Sequence, residues 1–125
     1  MARILIAEDE EAIRSLVARA LKQDGHEVMT ASDGAQALDV LFRERGAFEL
    51  LLTDIRMPIM DGIALALSAS RDYPNLTILL MTGYADQRER AHGLNLLIHD
   101  VISKPFTLSA ICGAVKEALA VRQLH

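Results

Sequence analysis

Two rhythms of apolar residues alternate along this chain. Short apolar-rich runs recur at Arg3 to Ala7, Glu27 to Ala31, Phe48 to Thr53, Leu76 to Met81 and Ile98 to Ser103. The first is continuous, the signature of a strand covered on both faces, and the fourth is apolar apart from Thr77. Between the runs the spacing becomes helical. Glu11 to Gln23 places Ile13, Leu16, Val17, Ala20 and Leu21 on one stripe, with acids at its start and Lys22 near its end, as the helix dipole favours. Asp24-Gly25 stops it. Ser32-Asp33-Gly34 opens a second helix, with Leu38, Leu41 and Phe42 on one face, that runs until Gly46. Ile63 to Arg71 forms a third, before the turn Tyr73-Pro74-Asn75. Asp86 to His92 is a shorter and more polar helix. Thr107 to Val121 closes the chain as an amphipathic helix carrying Leu108, Ile111, Cys112, Val115 and Leu119 on one face.

Five strands alternating with five helices predict an α/β fold, a doubly wound parallel sheet. In a parallel sheet every strand points its C-terminal end to the same edge, where open α/β sheets place their chemistry. Glu8 and Asp9 end the first run, Asp54 the third, Thr82 the fourth and Lys104 the fifth. These five residues are therefore expected to meet.

Composition narrows the setting. The chain has 125 residues, the size of one domain, and residues 1–125 are read as a single unit with no output domain. Half the residues are apolar (51%), yet no run approaches the roughly 18 that a membrane helix needs. The N-terminal segment meets acid at Glu8, too soon for a secretory signal, so a soluble cytoplasmic protein is expected. Cys112 is the only cysteine, which excludes an internal disulfide and a zinc site of paired cysteines; its apolar neighbours suggest a core position. Net charge is −4, from 13 basic and 17 acidic residues. The bases are interleaved with acids, as in Arg43-Glu44-Arg45 and Arg88-Glu89-Arg90, which argues against a nucleic-acid surface.

The chemistry follows from the converging residues. Three carboxylates at one edge repel one another unless a cation compensates them. Carboxylates with open water positions suit Mg²⁺, a hard ion that prefers oxygen. Thr82 offers a hydroxyl and Lys104 a mobile positive charge to a phosphoryl oxygen. With that support the Asp54 carboxylate is a competent nucleophile toward phosphorus. The set reads as a site for forming an aspartyl phosphate. Taken singly, each residue has an ordinary reading as cap, turn or surface residue, and Asp33 and Asp61 have that reading here. Five strand-end residues in this order are much harder to assign to accident.

The chain resembles the CheY-like response-regulator receiver family over essentially its whole length. The resemblance rests on Ile4-Leu5-Ile6-Ala7-Glu8-Asp9, on Leu52-Thr53-Asp54-Ile55-Arg56-Met57-Pro58-Ile59-Met60-Asp61-Gly62, on Met81-Thr82-Gly83 and on Ser103-Lys104-Pro105-Phe106. It implies a flavodoxin-like strand order of 2-1-3-4-5. It implies phosphorylation of Asp54 by a histidine kinase or histidine phosphotransfer protein, with the domain assisting its own phosphorylation and dephosphorylation. It implies Mg²⁺ held by Asp9, Asp54 and the main-chain carbonyl of Arg56, with Glu8 acting through water. A cis peptide before Pro105 is implied as well. Phosphorylation would draw Thr82 inward and remodel the face of the helix at 86–92, the last strand and the closing helix, the behaviour of a switch rather than an enzyme.

Three positions depart from the common pattern. Val101 occupies the place of an aromatic switch residue, three positions before Lys104. Tyr84 could supply a ring instead, or simply cover the site. Arg56 could overlie the site, or be a solvated loop residue. Within the family, Thr82-Gly83-Tyr84 and Val101 to Phe106 resemble the CpdR type, a stand-alone receiver that acts as an adaptor for a cytoplasmic protease. The leading expectation is a monomeric phosphoacceptor that binds a protein target, itself not identified by the sequence. A phosphorelay intermediate is the alternative. A Mg²⁺-dependent phosphatase would need a second carboxylate where Arg56 stands, and a phosphate-independent receiver is disfavoured by the intact Asp54, Thr82 and Lys104.

Overall fold

The computed structural model describes residues 2–83, 90–91, 93–94 and 96–123, except for the side chain of residue 123. The apolar runs become five strands: β1 (Arg3–Ala7), β2 (Glu27–Ala31), β3 (Leu50–Asp54), β4 (Thr77–Thr82) and β5 (Asp100–Ser103). They pair in parallel in the order β2-β1-β3-β4-β5. Four helices are described: α1 (Glu11–Gln23), α2 (Gly34–Arg43), α3 (Gly62–Asp72) and α4 (Leu108–Gln123). The helix expected from Asp86 to His92 lies outside the described residues, apart from Arg90 and Ala91, which are helical. Tyr84 also lies outside them.

The sheet separates two apolar cores, because successive side chains of a strand point to opposite faces. Leu5, Ala7, Leu51, Ile78 and Leu80 face α2 and α3, meeting Ala37, Leu41, Leu65 and Ala69. Ile4, Ile6, Leu50, Leu52, Leu79 and Met81 face α1 and α4, meeting Val17, Leu21, Ile111 and Val115. The continuous apolar runs are thus explained: both faces are covered, so the central strands are apolar until their C-terminal ends, where Thr53, Asp54 and Thr82 are buried polar residues. All five residues of β3 are buried.

Three expectations are adjusted. Phe42 was expected on the buried face of its helix, but it is 77% exposed. The stripe that faces the sheet is centred on Ala37 with Val40 and Leu41, and Phe42, five residues after Ala37, points about 140° away at 3.6 residues per turn. Leu16 of α1 is likewise half exposed, and Ala18 takes the buried place beside Val17 and Leu21. The last strand starts at Asp100 rather than Ile98, because Leu97 and Ile98 both donate their N–H groups to the Leu94 carbonyl and complete a turn there.

Short-range signals hold well. Asp33 and Asp61 accept hydrogen bonds from the backbone N–H groups of Gln36 and Ala64, each at 2.8 Å, and so cap α2 and α3. Beyond α2 the chain turns at Gly46, whose φ of 67° suits glycine and whose N–H donates to the Leu41 carbonyl at 2.7 Å. Cys112 is partly buried against the α1–α4 core. Among the described residues, no helix is long and apolar enough to cross a membrane.

Candidate functional site

Register brings the strand ends level. Ala7 pairs with Thr53, Asp54 with Met81 and Thr82 with Ser103. The chain leaves the sheet just beyond these pairs, so Glu8, Asp54, Thr82 and Lys104 emerge side by side. The Lys104 N–H donates to the Thr82 carbonyl at 2.7 Å, which extends the β4–β5 pairing by one residue. The peptide bond between Lys104 and Pro105 is cis, as the family resemblance implied.

The acidic residues meet as expected. One carboxylate oxygen from each of Glu8, Asp9 and Asp54 lies within 4.8 Å of the others. Glu8 is fully buried, Asp54 is 5% exposed and Asp9 is open to solvent. Lys104 bridges the two buried acids, with its Nζ 3.0 Å from Asp54 Oδ2 and 3.3 Å from Glu8 Oε1. Glu10 donates its backbone N–H to Glu8 Oε2 at 3.1 Å, and Arg14 Nη1 donates to the Glu8 carbonyl at 2.9 Å.

This burial has an electrostatic cost. Loss of water pushes the Glu8 carboxyl up to about 7, a rise that the neighbouring Asp54 charge reinforces while the Glu10 N–H and Lys104 oppose it. Burial works against the Lys104 ammonium, but its bonds and attraction to Asp54, aided by Glu8, prevail and hold its pKa above that of an ordinary lysine. One lysine faces three carboxylates, so the cluster stays acidic overall. Its donor set consists of oxygens, partly buried and partly open through Asp9, and it fits a hard divalent cation such as Mg²⁺.

The remaining expected residues fall around this cluster. Thr82 is buried at the end of β4. Arg56 is exposed on the loop between β3 and α3, two residues after Asp54. Val101 lies opposite Leu80 and packs against the α2–α3 core, so the place expected for an aromatic ring is filled by a small aliphatic side chain.

One contributor escaped the sequence reading. Gly62 opens α3, and a side-chain carbon there would collide with the Asp54 carbonyl oxygen. Its N–H donates to the Ile55 carbonyl at 2.7 Å. Glycine therefore lets α3 begin directly behind Asp54 and sets the position of its backbone. Asp61-Gly62 read locally as a turn, and nothing local showed how near Asp54 would lie. Asp61 also pairs with Arg90 at 3.2 Å, a contact across the molecule that no short-range pattern announces.

Residues 4–116 match the family described as the response regulator receiver domain, and the chain belongs to that family. Receiver domains are the signalling modules of two-component systems, and an acidic cluster compatible with Mg²⁺ is in place here. The chain is 39% identical to the response regulator receiver protein CpdR of Brucella abortus (strain 2308), over 95% of this chain and 98% of that protein. It is 33% identical to sporulation initiation phosphotransferase F of Bacillus subtilis (strain 168), over 96% and 95% of the two chains. Among solved structures it is similar to the response regulator protein TrrA from Thermotoga maritima in complex with Mg(2+)-BeF, with a TM-score of 0.83 and 30% identity over 94% of this chain and 99% of that one.

Proposed function

We propose that Asp54 is the phosphoacceptor of this receiver domain and that its phosphorylation switches a protein-binding surface. The observation that carries the reading is the pairing of a nearly buried Asp54 with Lys104 at 3.0 Å inside a cluster of three carboxylates. A carboxylate so placed is oriented by its partner, and it stands beside a cation that can follow charge onto a new group. Phosphorus bonds to an Asp54 oxygen as its bond to the donor breaks, the electron pair leaving with the donor atom. Glu8, Asp9, Asp54 and the Arg56 carbonyl would hold Mg²⁺, Glu8 through water, and the ion would neutralise phosphoryl oxygens. Lys104 transfers its pairing from the Asp54 carboxylate to the phosphoryl group, and the Thr82 hydroxyl donates to it.

The modification adds about −1.5 to −2 charge at pH 7. Thr82 and Lys104 end β4 and begin the segment after β5, so their movement is passed to the face around β5 and α4. Histidine kinases or histidine phosphotransfer proteins are the donors in this reading, and a protein receives the output without nucleic acid or membrane contact. In this reading the chain works as a cytoplasmic monomer and a protease adaptor, the role that the resemblance to the CpdR type implies. The likeness to sporulation initiation phosphotransferase F supports a second reading, a relay intermediate that yields its phosphate to another histidine.

The test is incubation with acetyl phosphate and Mg²⁺ followed by intact-mass measurement. A gain of one phosphoryl group is expected, abolished by Asp54→Asn. Absence of any gain from acetyl phosphate and from kinase donors would overturn the proposal. Transfer of the label to a second histidine-bearing protein within seconds would favour the relay over the adaptor.

A further inference from the structure

The two flanks of α1 differ in chemistry. On the side toward α4, Ile13 and Leu16 stand beside Phe106 and Leu108. On the side toward β2, Arg14, Ser15, Ala18, Arg19 and Lys22 line a groove of about 430 Å³, with Thr30 across it. Positions 14, 18 and 22 follow one another at a spacing of four and 15 and 19 run alongside, so the five residues form one stripe of the helix. Ala18, 6% exposed, is the floor, and the three bases are the walls.

No acid answers these bases. Among the described residues, Arg14, Arg19 and Lys22 take part in no ion pair. Arg14 donates one N–H to the Glu8 carbonyl at 2.9 Å and has others to offer. Arg19 and Lys22 stand three apart on the helix, a spacing at which like charges repel. The neighbouring acids are placed elsewhere: Glu10 and Glu11 at the start of α1, Asp24 beside Cys112, Glu27 against Arg3 and Asp33 at the cap of α2. In a chain of net charge −4, the groove is a local reversal of sign.

An open sheet edge forms the other wall. β2 pairs with β1, and among the described residues no strand lies on its outer side. The Glu27 N–H donates to the Ala2 carbonyl at 2.9 Å, and the Ala31 carbonyl accepts from the Glu8 N–H at 3.0 Å, so residues 27, 29 and 31 direct their backbone groups to β1. The direction alternates along a strand, so the backbone groups of Val28 and Thr30 point outward. No proline, lysine or bulge blunts this edge. Groove and edge meet at Thr30, whose side chain lines the one and whose N–H and C=O belong to the other.

An extended peptide fits both features. Added to β2 as a strand, it satisfies the outward groups of Val28 and Thr30 and turns every second side chain toward α1, at a repeat of about 7 Å. From Arg14 to Lys22 the helix rises about 12 Å, which accommodates two or three such side chains. A second copy of this chain is a poorer occupant, because antiparallel pairing through β2 sets one basic flank beside the other. We propose that the open edge of β2 and the basic flank of α1 form a docking site for an extended acidic segment of a partner protein, its carboxylates at alternate positions against Arg14, Arg19 and Lys22.

The test uses the full chain and a dye-labelled peptide that alternates Glu with Thr or Val; a control peptide carries Gln in place of every Glu. Fluorescence anisotropy follows binding, and amide hydrogen exchange follows the complex. The Glu peptide is expected to saturate, and the Gln peptide to bind about tenfold more weakly. Arg19→Glu combined with Lys22→Glu should lose about tenfold, more at low salt than at high. Thr30→Pro removes one outward N–H without changing charge and should lose a similar factor, whereas Thr30→Val stays within about twofold of wild type. In the wild-type complex the Val28 and Thr30 amides should exchange more slowly than in the free chain, a readout that stands even if Thr30→Pro does not fold.

Failure of the Glu peptide to saturate overturns the proposal, as does equal binding of the Gln peptide. Unslowed Val28 and Thr30 amides in the complex overturn it too, since the peptide then lies on α1 without joining the sheet. Inorganic tripolyphosphate that saturates the same bases while the peptide does not would assign the groove to a small anion instead.

Discussion

The two edges of the sheet each organise carboxylates around one cation. At the N-terminal edge, Arg3 lies 2.5 Å from Glu27 and 2.8 Å from Glu44, donates to the Ala47 carbonyl and stacks over Phe48. At the C-terminal edge, Lys104 lies between Asp54 and Glu8. The residue types match, but the solvent does not. The side chains of Glu27 and Glu44 are 63% and 36% exposed, whereas those of Glu8 and Asp54 are 0% and 7% exposed. Water can stabilise the first pair of acids whether or not arginine is present. The buried pair depends on lysine, a proton or a metal. Arginine also suits a fixed tie, since its planar fork serves several acceptors at once, while lysine is a compact charge on a mobile stem. Burial leaves one cluster a solvated clasp and makes the other dependent on a compensating charge.

Removing each cation tests that contrast most sharply. Lys104→Met is expected to slow acetyl phosphate labelling by about a hundredfold, the scale for losing a charge stabiliser in a desolvated site. Arg3→Met should leave labelling unchanged and lower the melting temperature, by less in high salt than in low. Comparable labelling losses in the two variants would remove the distinction between the edges.

Glycine substitutions come next in size. Gly62→Ala drives a methyl group into the Asp54 carbonyl, and a loss of about 2–3 kcal/mol in urea unfolding is expected together with weakened labelling. Gly46→Ala, beyond α2 near the opposite edge, imposes a positive φ on alanine and crowds the Tyr73 ring. It should cost about 1–2 kcal/mol and spare labelling. Loss of labelling in Gly46→Ala, with Gly62→Ala unaffected, would show that closeness to Asp54 is not what matters.

The smaller effect is a dependence on pH. Burial raises the Glu8 carboxyl to about 7, above the ordinary value of 4.5 expected in the unfolded chain. The folded state therefore holds a proton that the unfolded state has released. The resulting stabilisation is fully present below the unfolded pKa and is lost as pH rises through about 7. Without metal, unfolding free energy should fall on the order of 2 kcal/mol between pH 5 and pH 8. Glu8→Gln should flatten the curve, and Mg²⁺ should stabilise the wild type more at pH 8 than at pH 5. A wild-type profile as flat as that of Glu8→Gln would contradict the burial argument.

Much of this architecture is legible because its signals are local. Ile4 to Ala7 and Leu50 to Leu52 are apolar at every position, which already calls for cover on both faces. Asp33 and Asp61 cap helices whose first turns lie three residues away. Phe42 misled because helical spacing assigns residues to a stripe but does not say where the stripe centres; Ala37 decides that by allowing close approach to the sheet. The start of β5 was obscured because Ile98 is equally apolar in a turn and in a strand. The site residues were legible as strand ends, but their separations were not. Lys104 contacts partners 50 and 96 positions earlier, and the approach of Gly62 to Asp54 depends on where α3 enters.

The sequence by itself determined the alternation of elements, the parallel sheet it demands and the identities of the acids, hydroxyl and lysine at its C-terminal edge. Side-chain periodicity and strand direction are properties of short segments, so they survive without knowledge of the rest. Only the tertiary structure decided that Glu8 would lose its water and that Lys104 would span Glu8 and Asp54. Each of these depends on residues far apart in the chain, brought together by strand register and the packing of both helical layers.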